Sequence, residues 1–280
     1  RSTWSATFVI CWLKRREPVL SWRWVSISLL FVLGLVSLES RVSAQEPAPP
    51  PVVGHDLVVG VAPESNLYTA ARAQGLALEH LAFANRLPVS LAPLTQDSLL
   101  IPHRRILPTA PPRDGLVLNL PERGIFLFRG GEFRGFFPVA IGALGWETPV
   151  GNYEIATKTV DPIWYPPAWA GVGYPVMPGP QNPLGDRWLG LSLGGYGIHS
   201  TNRPDSIGGA VSHGCIRSYP EHAHKLYEQV YVGMPVRVEY CPVKLGRDPE
   251  TGQLEMAVFR DVYDRVDLLS EAQKLLRQYG

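Results

Sequence analysis

Short apolar runs punctuated by glycine and proline fill the stretch from residue 113 to residue 240. Gly115–Leu120 and Gly124–Arg129 are apolar segments, and Gly130 with Gly131 follows them as a hairpin turn signal. Runs of this length bounded by turn residues are typical of β-strands. The same pattern predicts further strands at Phe133–Gly142, Tyr153–Thr159, Trp188–Leu193, Tyr196–Ser200 and Val236–Tyr240.

A long loop interrupts these strands at Trp164–Leu184, which is rich in proline, glycine and aromatic residues and has no period. Loops of this length inside compact domains are usually functional. We therefore expect its aromatic side chains either in the core or along the wall of a substrate groove. They are Trp164, Tyr165, Trp169 and Tyr174.

One clear helix is predicted in this region, beginning near Ser218. Ser218 and Glu221 have the S-x-x-E spacing of a capping box, in which each side chain accepts a hydrogen bond from a backbone N–H group. Pro220 falls in the first turn, where its missing N–H group costs least. The apolar face of this helix consists of Ala223, Leu226, Tyr227 and Val230.

Two segments flank the β-rich region. Residues 57–103 are predicted to form a small strand–helix–helix–strand unit, preceded by a Pro-rich linker at residues 45–56. Residues 241–280 are a C-terminal extension that we expect to pack against the β-rich domain. The predicted elements are strand Leu57–Val59, helices Leu67–Gln74 and Leu78–Asn85, strand Ser98–Pro102, strand Leu254–Phe259 and helix Leu268–Tyr279.

The first 44 residues have the pattern of a secretory signal peptide. A basic cluster precedes the largely apolar run Val25–Leu38, and Val42-Ser43-Ala44 matches a small-x-small cleavage site. The run is shorter than the roughly 20 apolar residues that a membrane span needs, so an uncleaved anchor is the alternative. We expect the chain to be exported across the inner membrane into the periplasm.

Composition and charge fit a globular exported protein. The chain is 45% hydrophobic and 18% charged, with 27 glycines and 27 prolines. Six of its 26 basic and two of its 25 acidic residues lie in the first 44 positions, which leaves 20 basic and 23 acidic residues in the rest of the chain. This part of the chain has a net charge of −3 and therefore lacks the excess of basic residues that binds nucleic acid, so no nucleic acid is expected as a partner.

Of the three cysteines, Cys11 lies in the segment expected to be removed. Cys215 and Cys241 would then meet an oxidising compartment, where a disulfide between them is one interpretation. The other is a reactive thiol at Cys215 and an inert packing cysteine at Cys241. The residues around Cys215 favour the second.

Cys215 and His199, which lies 16 residues earlier, are predicted to form a nucleophile-and-base pair. A thiol is mostly protonated at neutral pH, so a catalytic cysteine needs a base or a cationic neighbour. Gly214 allows close approach of the backbone, and N–H groups in a tight turn can stabilise an oxyanion. The start of the following helix would add to thiolate stabilisation. These residues together indicate acyl transfer through a thioester.

A metal site is the alternative to a catalytic cysteine, because five possible metal ligands lie close together in the sequence. Structural zinc prefers paired spacings such as C-x-x-C, and there is none here, so neither a metal nor another cofactor is expected. His222 and His224 are predicted to be solvated on the polar side of the helix. The five residues are His199, His213, Cys215, His222 and His224.

Three motifs together resemble the signature of the YkuD-type L,D-transpeptidases. They are Ile198-His199-Ser200-Thr201, Ser206-Ile207-Gly208 and Val211-Ser212-His213-Gly214-Cys215-Ile216-Arg217. Gly145–Gly151, Trp164–Pro167 and Pro178–Gly185 extend the resemblance over residues 113–240. The resemblance implies a mainly β fold with α+β elements, with the catalytic domain built as a β-sandwich.

The resemblance also implies a reaction and a set of roles. Cys215 would attack the L,D peptide bond of a peptidoglycan stem tetrapeptide and release D-alanine, with His199 as general base and then acid. Ser200 would orient His199 through its backbone carbonyl, and His213, Gly214 and Cys215 would line the oxyanion site. Arg217 and Ser212 would bind substrate. The acceptor amine would belong to a second stem peptide, giving a 3→3 cross-link, or to a lysine of an envelope lipoprotein, and carbapenems are expected as covalent inhibitors.

Residues 57–103 resemble a LysM module, a small glycan-binding unit. The shared features are Leu67, Ala70-Ala71-Arg72, Gly75, Leu78, Leu81, Ala84-Asn85 and Leu99–Pro102. Glycan strands are therefore an expected partner, and a purely structural α+β subdomain is the alternative. Two other functions stay open: an L,D-carboxypeptidase that passes the acyl group to water, and a peptidoglycan-binding protein with an inactive thiol.

Overall fold

The computed structural model describes residues 48–171 and 173–279. The predicted signal peptide, residues 1–44, and the first residues of the predicted linker lie outside these ranges. Among the described residues no helix has the length and apolar character needed to cross a membrane.

The N-terminal region contains the predicted strand–helix–helix–strand unit, here called the N-terminal module (residues 57–103). Its two strands pair antiparallel, with Leu57 opposite Ile101. The first helix begins at an Asn66 capping box, in which the Asn66 side chain accepts a hydrogen bond from the Thr69 N–H at 2.9 Å. Leu67, Ala71, Leu81, Leu99 and Ile101 form a small buried core. The elements of this region are β1 Val52–Val53, β2 Leu57–Gly60, α1 Leu67–Ala73, α2 Leu78–Ala84, β3 Ser98–Ile101 and β4 Arg105–Ile106.

Part of the predicted linker is structured. Val52–Val53 (β1) pairs with Arg105–Ile106 (β4), and Val52 is buried against Ile106 and Ala257. Val53 packs instead against Val117, Phe126 and Phe128 of the β-rich region, so the two β-branched side chains bury themselves on different surfaces.

The β-rich region forms one closed sheet. Its elements are β5 Gly115–Asn119, β6 Gly124–Arg129, β7 Glu132–Gly142, β8 Gly151–Val160, β9 Arg187–Leu191, β10 Gly197–His199, β11 Ala210–Ser212, β12 Ile216–Ser218, α3 Pro220–Gln229 and β13 Pro235–Glu239. Around the ring the order is β7, β12, β10, β9, β8, β13, β5 and β6, and β6 pairs back to β7, while β11 adds to β7 outside the ring. The mainly β prediction is confirmed, but the strands close on themselves where a two-sheet sandwich was expected.

Closure depends on the length of β7, which has 11 residues. Residues 132–138 of this strand pair with β6, and Val139 and Ala140 pair with β12. A single long strand therefore joins two groups of strands and removes both free edges of the ring. Fully buried Leu116, Leu127 and Ile141 are part of its apolar core.

The helix after Cys215 is present, but its predicted capping box is wrong. Helix α3 begins at Pro220 with Tyr219 as N-cap, and no side chain caps it. Ser218 is instead a buried residue of β12. Glu221 accepts two hydrogen bonds of 2.9 Å from the Arg72 guanidinium of the N-terminal module. Glu221 therefore binds Arg72, which is distant in sequence, instead of the backbone N–H group that the capping-box spacing predicts.

The prediction that His222 is solvated is also wrong. Its side chain is 7% exposed, and its ring packs edge-on against Phe137 and Tyr219. His224, on the other side of α3, is half-exposed and hydrogen-bonds Asp186. The helix buries more of its circumference than a free surface helix would, because the N-terminal module covers it.

The N-terminal module docks on the connection between β12 and α3. Tyr219 is fully buried there, donates a 3.2 Å hydrogen bond to the Leu76 carbonyl and packs against Tyr68. Burying an aromatic side chain stabilises an interface by about 1.5–3 kcal/mol, whereas a half-exposed ion pair such as Arg72–Glu221 adds about 1 kcal/mol or less. Apolar burial therefore dominates the docking, four residues beyond Cys215.

The C-terminal extension forms a hairpin and a helix. The predicted strand and helix are confirmed, and a preceding strand was missed. Helix α4 packs on that missed strand through Leu268, Ala272 and Leu275. Between hairpin and helix the chain inserts Tyr263, 5% exposed, into the main core of the closed sheet. The elements are β14 Val243–Arg247, β15 Leu254–Val258 and α4 Leu268–Tyr279.

Candidate active site

Cys215 lies in a tight turn directly before β12. Gly214 has φ +103°, and a Cβ there would lie 2.5 Å from the Tyr196 ring, so glycine is required on both grounds. The Ser212 hydroxyl accepts a hydrogen bond from the Gly214 N–H at 3.1 Å and donates one to the Cys215 carbonyl at 2.6 Å. These bonds hold the backbone of the cysteine turn.

Ser212 is therefore a turn-stabilising residue in this structure. Its side chain is 2% exposed, and its hydroxyl makes both of these hydrogen bonds within the turn. The Gly214 N–H donates to Ser212, whereas the N–H groups of His213 and Cys215 have no acceptor among the described residues.

Two parallel strands bring the cysteine and the histidine together. β10 and β12 pair in parallel, with Ile198 opposite Ile216 and His199 opposite Arg217. Cys215 directly precedes β12, so this register places it beside Gly197, two positions before His199 on the neighbouring strand. A separation of 16 residues in sequence becomes a separation of two positions across paired strands.

The His199 ring has a defined orientation. Its Nδ1 hydrogen-bonds the Ser200 carbonyl, which is the contact expected from the sequence. A carbonyl can only accept, so Nδ1 carries the proton and Nε2 keeps its lone pair. The ring is 4% exposed and stacks on Trp188 with centroids 5.8 Å apart. Burial lowers the pKa of His199 to about 4, and the charge of Arg217 acts in the same direction.

The Cys215 thiol rests in its neutral form. Burial raises the pKa of Cys215, although a backbone hydrogen bond from Gly197 and the charge of Arg217 oppose the shift. Its Sγ lies 3.5 Å from the Gly195 carbonyl.

The expected contribution of a helix N-terminus is wrong. α3 begins at Pro220, and the whole of β12 separates it from Cys215. The effect of a helix dipole falls off within its first turn, so α3 gives the thiolate little stabilisation. Arg217 is the cation that faces the thiol in its place.

Arg217 is half-buried and lacks a carboxylate partner among residues 48–171 and 173–279. Its Nη1 lies 3.4 Å from the Ser206 hydroxyl, and the nearby Asp205 is paired with Arg203. Its guanidinium is thus available to an anionic group of a ligand beside Cys215.

The ring of His213 belongs to an aromatic cluster at the edge of the site. It stacks on Trp169 with centroids 3.8 Å apart and meets Trp146 edge-on at 4.6 Å. Both tryptophans are about half-exposed. Trp169 comes from the long loop in which a groove wall was expected, whereas Trp146 was not singled out because it lies in a glycine- and proline-rich turn.

Cys241 is separate from this site. Both it and Cys215 are free thiols, which excludes the disulfide between them. Burial raises the pKa of Cys241 to about 11, and nearby carboxylates such as Glu239 act in the same direction. A thiol with this pKa is almost wholly protonated at neutral pH and is therefore a poor nucleophile.

Comparison with known proteins assigns this arrangement to a family. Residues 113–238 match the family model of the L,D-transpeptidase catalytic domain. The chain is 33% identical over 236 residues to the probable L,D-transpeptidase YbiS of Escherichia coli, covering 78% of this chain and 76% of that protein. The chain belongs to the L,D-transpeptidase family. Members of this family depend on a cysteine, and the matched region of this L,D-transpeptidase contains both Cys215 and His199.

Further relatives of this L,D-transpeptidase carry the same designation. The probable L,D-transpeptidase ErfK/SrfK of Escherichia coli is 32% identical over 247 residues, which cover 81% of this chain and 78% of that protein. Among solved structures, an L,D-transpeptidase from Mycobacterium tuberculosis is 22% identical, with 69% of this chain and 95% of that chain covered and a TM-score of 0.38.

Proposed function

We propose that this protein is a peptidoglycan L,D-transpeptidase that uses Cys215 as nucleophile. Its substrate would be the L,D peptide bond between the third and fourth residues of a stem tetrapeptide, and D-alanine would leave. The observation that best supports this proposal is the parallel register of β10 and β12. This register brings the Cys215 turn beside the strand of His199, whose Nδ1 hydrogen-bonds the Ser200 carbonyl and whose Nε2 is proposed to accept the thiol proton.

The proposed reaction has two halves. His199 Nε2 takes the thiol proton as Sγ attacks the carbonyl carbon, and the tetrahedral oxyanion accepts hydrogen bonds from backbone N–H groups of the turn. The C–N bond then breaks, His199 donates its proton to the leaving amine of D-alanine, and a thioester stays on Cys215. In the second half an amine attacks the thioester carbonyl carbon while His199 takes a proton from that amine. The new C–N amide bond forms, the C–S bond breaks, and His199 returns the proton to Sγ.

Substrate contacts follow from the charges and rings around the thiol. Arg217 has no ion pair among the described residues and is proposed to bind a carboxylate of the donor stem. Trp146 and Trp169 are proposed to form the wall along which the peptide lies. The acceptor would be the side-chain amine of a second stem or a lysine of an envelope lipoprotein, and carbapenems would acylate Cys215 as substrate analogues.

Tetrapeptide-bearing muropeptides test the proposal directly. Incubation with the full chain is expected to yield cross-linked dimers and free D-alanine, detected by liquid chromatography and mass spectrometry. Tripeptide products without dimers would assign the L,D-carboxypeptidase function, in which water takes the acyl group. Unchanged substrate would contradict catalysis and favour a binding-only protein.

We also infer that the N-terminal module binds glycan strands as a LysM-like unit and that the protein works in the periplasm. The module's strand–helix–helix–strand order and a groove of about 330 Å³ between α1 and the β2–β3 sheet support glycan binding. Residues lining this groove include Val59, Ala62, Ser65, Ala70 and Gln74.

Sedimentation with purified sacculi tests glycan binding. The full chain with Cys215→Ala, which cannot attach covalently, is expected to pellet with sacculi. Ala70→Trp in the same background fills the groove and should leave the protein in the supernatant, whereas Val89→Trp, at an exposed position outside the groove, should not. Equal pelleting of the two tryptophan variants would contradict a binding site in the groove.

A further inference from the structure

Thr148 makes an unusual set of contacts behind the cysteine turn. Its side chain is 1% exposed, and its hydroxyl donates a 2.9 Å hydrogen bond to the Gly214 carbonyl. The same hydroxyl accepts a 3.0 Å hydrogen bond from the Gly142 N–H. Thr148 thus ties the end of β7 to the peptide bond that enters Cys215.

The orientation of that peptide plane is fixed by the hydrogen bond to its carbonyl. A trans peptide is planar, and its C=O and N–H groups point in opposite directions. With the Gly214 carbonyl bound to Thr148 on the buried side, the Cys215 N–H points away from Thr148. Among the described residues this N–H has no hydrogen-bond acceptor. An N–H group that is fixed in direction and unoccupied suits a developing oxyanion.

Thr148 is itself held by the C-terminal extension. The Tyr263 hydroxyl donates a 2.8 Å hydrogen bond to the Gly142 carbonyl and lies 3.4 Å from the Thr148 N–H, which donates to it. The Tyr263 ring stacks on Tyr240 with centroids 5.6 Å apart, and the Tyr263 N–H donates to the Tyr240 hydroxyl at 2.9 Å. These contacts clamp the loop from residue 142 to residue 148 between the closed sheet and the extension.

We infer that Thr148, supported by Tyr263 of the C-terminal extension, is a positioning residue that aims the Cys215 backbone N–H at the oxyanion. The inference rests on the proposed function, because it concerns the tetrahedral intermediate of that reaction. It gives residues 241–280 a part in catalysis through Tyr263, which touches neither the thiol nor the substrate.

Thr148→Val removes the hydroxyl at nearly constant volume. This change leaves the Gly214 carbonyl without its hydrogen-bond donor. The peptide plane can then rotate, and the Cys215 N–H no longer points in a fixed direction. Loss of one oxyanion donor slows acyl transfer by about 10²–10³-fold, and a misdirected donor by less, so we expect about a 10–100-fold fall in the acylation rate. Thr148→Ser keeps the hydroxyl and is expected to stay within about 3-fold of the wild type.

Two reactions of the same thiol separate this role from a general structural one. Acylation by a carbapenem passes through an oxyanion, whereas alkylation by iodoacetamide is a displacement at carbon that forms none. In the full chain, Thr148→Val should slow carbapenem acylation by about 10–100-fold and leave alkylation of Cys215 within about 2-fold. Tyr263→Phe should act in the same direction with a smaller effect. Stopped-flow absorbance and intact-mass spectrometry measure the two rates.

Each other outcome overturns the inference. Equal slowing of both reactions would mean that Thr148 acts on the thiol or on folding, and unchanged acylation in Thr148→Val would mean that the N–H needs no such support. If Thr148→Val does not fold, unchanged acylation in Tyr263→Phe would overturn the inference in its place. A wild-type chain that neither reacts with the carbapenem nor processes muropeptides would overturn the proposed function as well. An active wild type with an unimpaired Thr148→Val would overturn only this inference.

Discussion

Replacing Cys215 with alanine is expected to abolish both product formation from tetrapeptide muropeptides and the covalent carbapenem adduct. Without Sγ no thioester can form, and loss of a nucleophile lowers turnover by about 10⁶-fold, which is the background level in most assays. The fold should survive, because the turn around residue 215 is held by the Ser212 hydroxyl and backbone groups rather than by the thiol.

Cys241→Ala is the matched control for this experiment. Cys241 is the other thiol among the described residues, and its pKa of about 11 makes it a poor nucleophile. Intact-mass spectrometry with a carbapenem should therefore show one adduct on wild type and on Cys241→Ala, and none on Cys215→Ala. An adduct that persists on Cys215→Ala would assign the reactive nucleophile elsewhere.

His199→Gln is expected to lower turnover by about 10²–10⁴-fold, the usual contribution of a general base. Glutamine has a similar volume, but its side-chain amide has no basic nitrogen and cannot take up the thiol proton. Alkylation by iodoacetamide at pH 10 should be restored towards the wild-type rate in this variant, because hydroxide then generates the thiolate without a base. A variant that stays inert at pH 10 would indicate a displaced turn.

His199 also determines the pH below which the reaction is expected to slow. The pKa of His199 is lowered to about 4, so the imidazole stays neutral and able to accept a proton well below the ordinary value of about 6.5. We expect the second-order rate constant of carbapenem acylation to stay level as pH falls through 6.5 and to decline only near pH 4, as His199 becomes protonated. Stopped-flow rates from pH 3.5 to 8 measure this limb, and His199→Gln should remove it. A decline centred near pH 6.5 would contradict the proposed state of His199.

The strands, the two N-terminal helices and the C-terminal helix were predictable because their signals are local. Apolar runs bounded by Gly130-Gly131 predict a hairpin, and Gly75 marks the end of a helix, without knowledge of any distant residue. Part of the candidate site was also predictable from the sequence. Cys215, Gly214 and His199 are recognisable by residue type and spacing, because a nucleophile, a tight turn and a base each need particular chemistry.

The errors occurred where a distant residue decides what a local pattern does. Ser218 and Glu221 have the spacing of a capping box, but Glu221 binds Arg72, 149 positions earlier in the chain. His222 lies in a polar part of helix α3 that the sequence predicts to face water. In the structure the N-terminal module covers this part of the helix. Nothing within several residues of either position carries that information.

By itself the sequence determined the chemistry available to this L,D-transpeptidase: a thiol, a histidine and a glycine turn on short β-strands. Only the tertiary structure decided how they are arranged, because the parallel register of β10 with β12 brings the Cys215 turn beside the strand of His199. The same holds for Thr148 and Tyr263, which are 115 positions apart and meet behind the cysteine turn. Their contact depends on closure of the sheet and on docking of the C-terminal extension, and long-range packing of this kind leaves no periodic signal in the chain.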